Sequence, residues 1–180
     1  MPDDSENLEK VRTIIQRVEK ERLYKGKGGE IMRAGVCHLI HSISTSKIKL
    51  KAKLSHELLK AMIENLKHPN PDIQDESAKA LHTFCNTYFG GSVTVEEMNL
   101  TKQNPIIVDL DKLFKPSQND MNIAVTRGYN MGFGVYSKEL LKYFSPGIVD
   151  VLISNCVPKG TEADDAESRK QSCKALVKVV

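Results

Sequence analysis

His38 and His41 stand three residues apart and could share a metal ion on one face of a helix. Zinc needs three or four ligands in fixed geometry. Cys37 is adjacent but points to a different side of a helix, so the pair reads as ordinary, partly buried histidines. The glycine-rich run Gly26-Lys27-Gly28-Gly29 is the kind of segment that can wrap a phosphate. A phosphate loop, however, needs GxxxxGKS or GxxxxGKT between a strand and a helix. This run joins two helical patterns and lacks the motif, which makes it a flexible connection. Gly128, Gly132 and Gly134 likewise fall short of a dinucleotide fingerprint, which requires GxGxxG directly after a strand. Gly128 and Gly132 are four apart and share a helix face, where a small surface lets a neighbouring helix approach closely. Each costs about 1 kcal/mol against alanine in a helix interior, and close packing offsets that cost.

No GxSxG or comparable nucleophile motif appears, and the carboxylates lie on charged helix faces without visible pairing. An enzyme with its own active site is therefore not expected, nor is a cofactor. Cys37, Cys85, Cys156 and Cys173 form no CxxC pair, and each lies in or beside an apolar helical stretch. They read as buried free thiols in a reducing compartment. The Asn99-Leu100-Thr101 sequon carries no weight without a signal peptide.

The distinctive charged feature is Lys47, Lys49, Lys51 and Lys53, interleaved with Ile48, Leu50 and Ala52. Its period of two suggests a strand, but no partner strand lies nearby in sequence, so it reads as a basic linker. That linker is either a solvated loop or an electrostatic contact for an acidic partner. Arg33, Arg127, Arg169 and Lys170 fall on second helices of their repeats or on the closing helix. Such helices line the concave wall of a helical solenoid, where these four are expected to help bind a protein.

Those residues must be positioned by helices. Helix-start signals near Gly29, Asp72, Asp120 and Asp165 each open an apolar helical stripe, at intervals of 43, 48 and 45 residues. An interval of roughly 40–47 residues is the period of two- and three-helix solenoid repeats, which present extended surfaces and mostly bind other proteins. Residues 4–23 give a first helix through Leu8, Val11, Ile14, Ile15 and Val18, with Asp3 and Glu6 at capping-box spacing. Residues 30–44 follow, with Ile31, Val36, Leu39, Ile40 and Ile43 as apolar positions. Ser55 is expected to cap a third helix on Leu58, Leu59, Met62, Ile63 and Leu66. Asn70-Pro71 then caps a fourth carrying Ile73, Ala78, Leu81, Phe84, Cys85 and Tyr88.

Beyond Gly90-Gly91, short helices are expected from Thr94 and over 106–114, then longer ones over 118–135 and after Ser145-Pro146. The helix after Ser145-Pro146 carries Ile148, Val149, Val151, Leu152 and Ile153. A short piece covers 138–143, and Asp164 with Glu167 boxes a final helix on Cys173, Leu176, Val177 and Val180. The expected architecture is all-α: three antiparallel helix pairs, an opening and a closing helix, in one HEAT/armadillo-like superhelical domain over 1–180. The apolar ending Leu176-Val177-Lys178-Val179-Val180 is unlike a polar capping repeat, so a fragment of a longer chain is expected.

Composition agrees with an ordinary helical protein. The 180 residues are 40% hydrophobic and 27% charged, with no tryptophan. A net charge of +3 is too mild to argue for nucleic acid. No run of about 18 apolar residues is present to cross a membrane, and the acidic, polar start is no secretory signal.

Several stretches resemble the C-terminal region of the tubulin-specific chaperone D (tubulin-folding cofactor D) family. They are Gly28-Gly29-Glu30-Ile31-Met32-Arg33 with Val36-Cys37 and Leu39-Ile40, Ser44 to Lys47, and Cys85-Asn86-Thr87-Tyr88. Further on come Thr126-Arg127-Gly128-Tyr129 with Gly134 and Leu140-Leu141, then Ala166-Glu167-Ser168-Arg169-Lys170 with Lys174-Ala175-Leu176. They keep order and spacing from about Gly28 onward, whereas residues 1–25 and 89–116 match poorly and the Lys47–Lys53 pattern is not a family feature.

The resemblance implies a longer HEAT/armadillo-like protein, cytoplasmic and cytoskeleton-associated. Such a protein receives β-tubulin and works with sister cofactors to assemble the α/β-tubulin heterodimer, with GTP hydrolysis by tubulin linked to release. It also implies binding of an Arf-like small GTPase. A general helical-repeat scaffold, such as a transport adaptor or phosphatase regulatory subunit, is the alternative. A nucleic-acid-binding repeat protein using the lysine strip is a third.

Overall fold

A computed structural model describes residues 4–21, 23, 25, 28–90, 107–108, 122–144, 147–158, 160 and 166–179. Among these residues the regular structure is entirely helical: α1 (Asp4–Lys20), α2 (Gly29–Thr45), α3 (Ala52–Leu66), α4 (Pro71–Tyr88), α5 (Ile123–Val135), α6 (Lys138–Leu141), α7 (Gly147–Cys156) and α8 (Ala166–Val179).

Local chemistry sets the boundaries. Gly28 adopts a left-handed φ of 90°, which admits the chain to α2 without the strain a Cβ would bring. The Asn70 side chain accepts a 2.9 Å bond from the Asp72 amide, and Pro71 takes the first helical position, where no amide is needed. Asn122 caps α5 in the same manner, accepting from Ala124 N at 3.0 Å. The Ser137 hydroxyl accepts from Leu140 N and opens α6.

The helices form a two-layered solenoid. α3 and α4 are an antiparallel hairpin: Ser77 Oγ donates to Met62 O at 2.6 Å, while the earlier Gln74 donates to the later Leu66 O at 2.7 Å. α2 and α4 run parallel, joined by Thr87 to Ser44 O and Tyr88 to Ile43 O, pairs 43 and 45 residues apart. Gln74 of α4 reaches Ala124 O of α5, 50 residues on, and Asn130 of α5 reaches Ser168 O of α8, 38 residues on. Thus α2, α4, α5 and α8 stack as one wall, and α3 and α7 lie on the other side against α4 and α8. α1 meets α3 through Arg12 and Glu57, 3.5 Å apart. The repeat interval in the sequence is the chain distance between neighbouring helices of this wall, which is the HEAT/armadillo-like arrangement of stacked hairpins.

One apolar core runs through the stack, and all five predicted stripe residues of α3, Leu58 to Leu66, are fully buried in it with Leu81 and Phe84 of α4. Phe84 packs on Tyr88 with ring centroids 4.8 Å apart. A second aromatic group, Phe133, Tyr136 and Phe144, gathers below α5, with Tyr136 stacked on Phe144 at 5.4 Å.

Several expectations are corrected. Ile31 is 79% exposed and Val177 83% exposed, and Ile153 also faces solvent, so none of the three is a core position. α8 buries Ser168, Ser172 and Ala175, a face displaced from the predicted stripe, and Cys173 is exposed. Ser55 is no cap: α3 begins three residues earlier, and Ser55 is buried inside it. His38 and His41 are exposed rather than partly buried, and His38 Nε2 lies 2.9 Å from Glu76 Oε2 of α4. Of the four thiols, only Cys37 and Cys85 are buried. Expectations for Asp3, residues 91–106 and 109–121, Ser145-Pro146, Asp164 and Val180 lie outside the described residues.

Candidate protein-binding surface

Arg33, Arg127, Arg169 and Lys170 all fall within the first two turns of wall helices α2, α5 and α8. Because these helices run parallel, the four residues lie along one edge of the wall. Two of them are committed to structure. Arg33 Nη1 donates to Asn65 Oδ1 at 2.6 Å, near the end of α3, and Asn65 Nδ2 donates in turn to Cys37 Sγ at 3.3 Å. Burial pushes the Cys37 thiol up from its ordinary value, against the lowering effect of the Asn65 bond.

Arg127 reaches the same α3–α4 turn from the other side. Its Nε donates to Gln74 Oε1 and its Nη2 to Pro69 O at 3.1 Å. Gln74, fully buried, uses its Nε2 for both Leu66 O and Ala124 O, each at 2.7 Å. One amide therefore closes the end of α3, the start of α4 and the first turn of α5. Room for it comes from Gly128, where a Cβ would fall 1.7 Å from Leu66 O. The predicted small-residue approach is real at this position.

His68 sits in this turn, with its Nδ1 accepting from Asn70 N at 3.2 Å. Burial, and then the positive charge of Arg33, hold the imidazole below its ordinary pKa. Both effects favour the neutral ring that this hydrogen bond requires.

The lysine strip is at the opposite end of the wall, in the connection from α2 to α3. Lys47, Lys49, Lys51 and Lys53 are all exposed, whereas Leu50 is buried and Ile48 half-buried. The period of two is therefore an extended segment with its apolar side turned inward. Tyr88 fastens it by donating to Ile48 O at 2.7 Å, and burial pushes that phenol up to about 12. Lys47 takes a left-handed φ of 54° at the turn out of α2, and Lys53 belongs to the first turn of α3.

The eight candidates therefore divide into two places. Lys47, Lys49, Lys51 and Lys53 form one continuous cationic edge. Arg33 and Arg127 converge on the α3–α4 turn, with Arg169 and Lys170 farther along the same side. Lys170 is exposed and lies 3.1 Å from Glu167, a pairing of little energetic weight at a surface. Residues that sequence reasoning missed are Asn65, Gln74 and Asn130, buried amides that connect consecutive repeats. The available signal was a polar amide inside an otherwise apolar stripe. No group of three or more His, Cys, Asp or Glu side chains among the described residues could hold a metal ion. No described helix is long and apolar enough to cross a membrane.

What the arrangement offers chemically is electrostatic and steric: a packed stack of helices with an exposed cationic strip on one edge and an arginine-lined turn on the other. No family model matches the chain, and no solved structure matches it. Among curated proteins, the chain is similar to a tubulin-specific chaperone D of Dictyostelium discoideum, at 24% identity over 247 residues that take in 97% of this chain. The chain spans 16% of the length of that relative. The finding is a distant relationship.

Proposed function

We propose that this chain is a helical-repeat part of a tubulin-folding cofactor, binding β-tubulin and assisting assembly of the α/β-tubulin heterodimer with its sister cofactors. The observation that carries the reading is the similarity to tubulin-specific chaperone D over 97% of the chain. The stacked-hairpin fold supports it, because an extended stiff wall suits a large folded client better than a small molecule. In this reading the chain has no catalytic residues of its own. GTP hydrolysis tied to release is performed by tubulin, and an Arf-like small GTPase is a further partner. The location is the cytoplasm, in association with the cytoskeleton.

Within the reading, the lysine edge meets acidic surface on the client. Lys47, Lys49, Lys51 and Lys53 are exposed heads on a fixed backbone, so little order has to be imposed before they make contact. Arg33 and Arg127 hold the α3–α4 turn in shape for whatever Arg169 and Lys170 touch.

The test is retention of purified tubulin heterodimer on the immobilised chain at low and high salt. Retention that weakens as salt rises, and that falls at least tenfold when the four lysines are changed to glutamate, is the expected result. Absence of tubulin retention by the unaltered chain would favour the general scaffold instead. Salt-sensitive binding to random duplex DNA, without tubulin binding, would favour the nucleic-acid reading.

A further inference from the structure

Cys156 ends α7, and Cys173 lies in the middle of α8. Their sulfur atoms are 3.4 Å apart. The neighbouring Ser172 Oγ donates to Leu152 O at 2.8 Å, and Asn155 of α7 donates to Asn130 Oδ1, so the two helices are already fixed against the same neighbours at this level. Cys173 is exposed and Cys156 half-buried, in contrast to the sealed Cys37 and Cys85. A disulfide brings its sulfurs to about 2.05 Å. From 3.4 Å the two sulfurs must close by about 1.4 Å.

We propose that Cys156 and Cys173 are a reversible oxidation site at which a peroxide converts the two thiols to a disulfide stapling α7 to α8. Cys173 meets the oxidant first because it is the exposed thiol. Its sulfur attacks hydrogen peroxide, an S–O bond forms, the O–O bond breaks and one water leaves, giving a sulfenic acid. Cys156 then attacks that sulfur. The S–S bond forms, the S–O bond breaks, and the departing hydroxide takes the Cys156 proton to leave as a second water. Two thiols have lost two electrons and two protons, and one peroxide has become two waters. A small dithiol reverses the step by thiol–disulfide exchange. Burial, and then the neighbouring Cys173, push the Cys156 thiol up, so Cys156 waits protonated and is a strong nucleophile once its proton is lost.

The experiment uses the full chain and a chromogenic disulfide reagent. Reduced protein should show two fast-reacting thiols, and the buried pair should react only in denaturant. After about one equivalent of hydrogen peroxide the fast class should disappear. A peptide joining Cys156 to Cys173 should be found, and dithiothreitol should restore both thiols. Cys156→Ser should leave Cys173 as a sulfenic acid trapped by dimedone, with at least tenfold more adduct than the unaltered chain gives. Cys173→Ser should leave Cys156 free after the same treatment. Peroxide treatment that yields only overoxidised Cys173, disulfides between molecules, or two untouched thiols would overturn the proposal. Equal dimedone labelling of the unaltered chain and Cys156→Ser would do so as well.

Discussion

α2 and α4 bring Val36, Ile40, Ile43, Leu81, Phe84 and Tyr88 into the core, whereas α5 and α8 meet through Gly134 against Ala175 and Asn130 against Ser168. Both contacts join parallel helices of the same wall, but they are held differently. In the first, large side chains remove area from water and the hydrogen bonds from Thr87 and Tyr88 add register. In the second, small residues bring backbones close and a buried amide supplies the specificity, so area contributes less and geometry more. Gly128, between α5 and the end of α3, belongs with the second kind.

That contrast can be broken deliberately. The largest loss is expected for Phe84→Ala, which empties a fully buried ring position and should cost about 3–5 kcal/mol, read from the shift of the urea unfolding midpoint. Gly128→Ala should cost about 3 kcal/mol although it adds one methyl group, because the new carbon would overlap the Leu66 carbonyl at 1.7 Å. Gly134→Ala is its control: the nearest atom would be Ala175 Cα at 3.7 Å, an ordinary contact, so stability should hold or rise by up to about 1 kcal/mol. A loss at Gly134 equal to that at Gly128 would remove the Leu66 carbonyl contact as the source of the Gly128 loss, because helix propensity favours alanine at both positions.

Asn130→Ala should cost about 2 kcal/mol, since it strips partners from Ser168 and Asn155 in a buried setting. Asn130→Leu recovering most of that loss would mean that volume, rather than hydrogen bonding, sustains the α5–α8 contact.

The smallest effect is a pH dependence at the α3–α4 turn. The folded pKa of His68 lies below its ordinary 6.5, so the unfolded chain binds the proton more readily. The stabilising contribution is complete above that value and fades as pH falls through the window beneath it. Unfolding midpoints at pH 7.5 and 5.5 should therefore differ more for the unaltered chain than for His68→Gln, and equal differences would remove His68 as the source.

Much of the apolar half was legible. α3 and α4 carry unbroken 3.6-period stripes, and Asn70-Pro71 is a cap whose chemistry is local. In the small-residue half, only the close approach at Gly128 was legible. α8 turns Ser168, Ser172 and Ala175 inward, spaced four and three residues apart, and a hydrophobicity pattern gives such residues no weight. The nearby Leu176 and Val177 drew the predicted face away, although Val177 faces solvent. Ile31 misled for the same reason, as an apolar residue on a helix whose buried side lies elsewhere. Of the candidate surface, the lysines were found by type and spacing, but the engagement of Arg33 and Arg127 with one turn depends on residues 32 and 53 positions away.

By itself the sequence determined that the chain is helical, where most described helices lie, and the interval at which they recur, because capping, periodicity and backbone preference act over a few residues. Tertiary structure decided which helix lies against which, which face of α8 is buried, that Gln74 joins three helices, and that Cys156 comes to Cys173. Those outcomes depend on two surfaces meeting, and complementarity between distant segments leaves no mark in either segment alone.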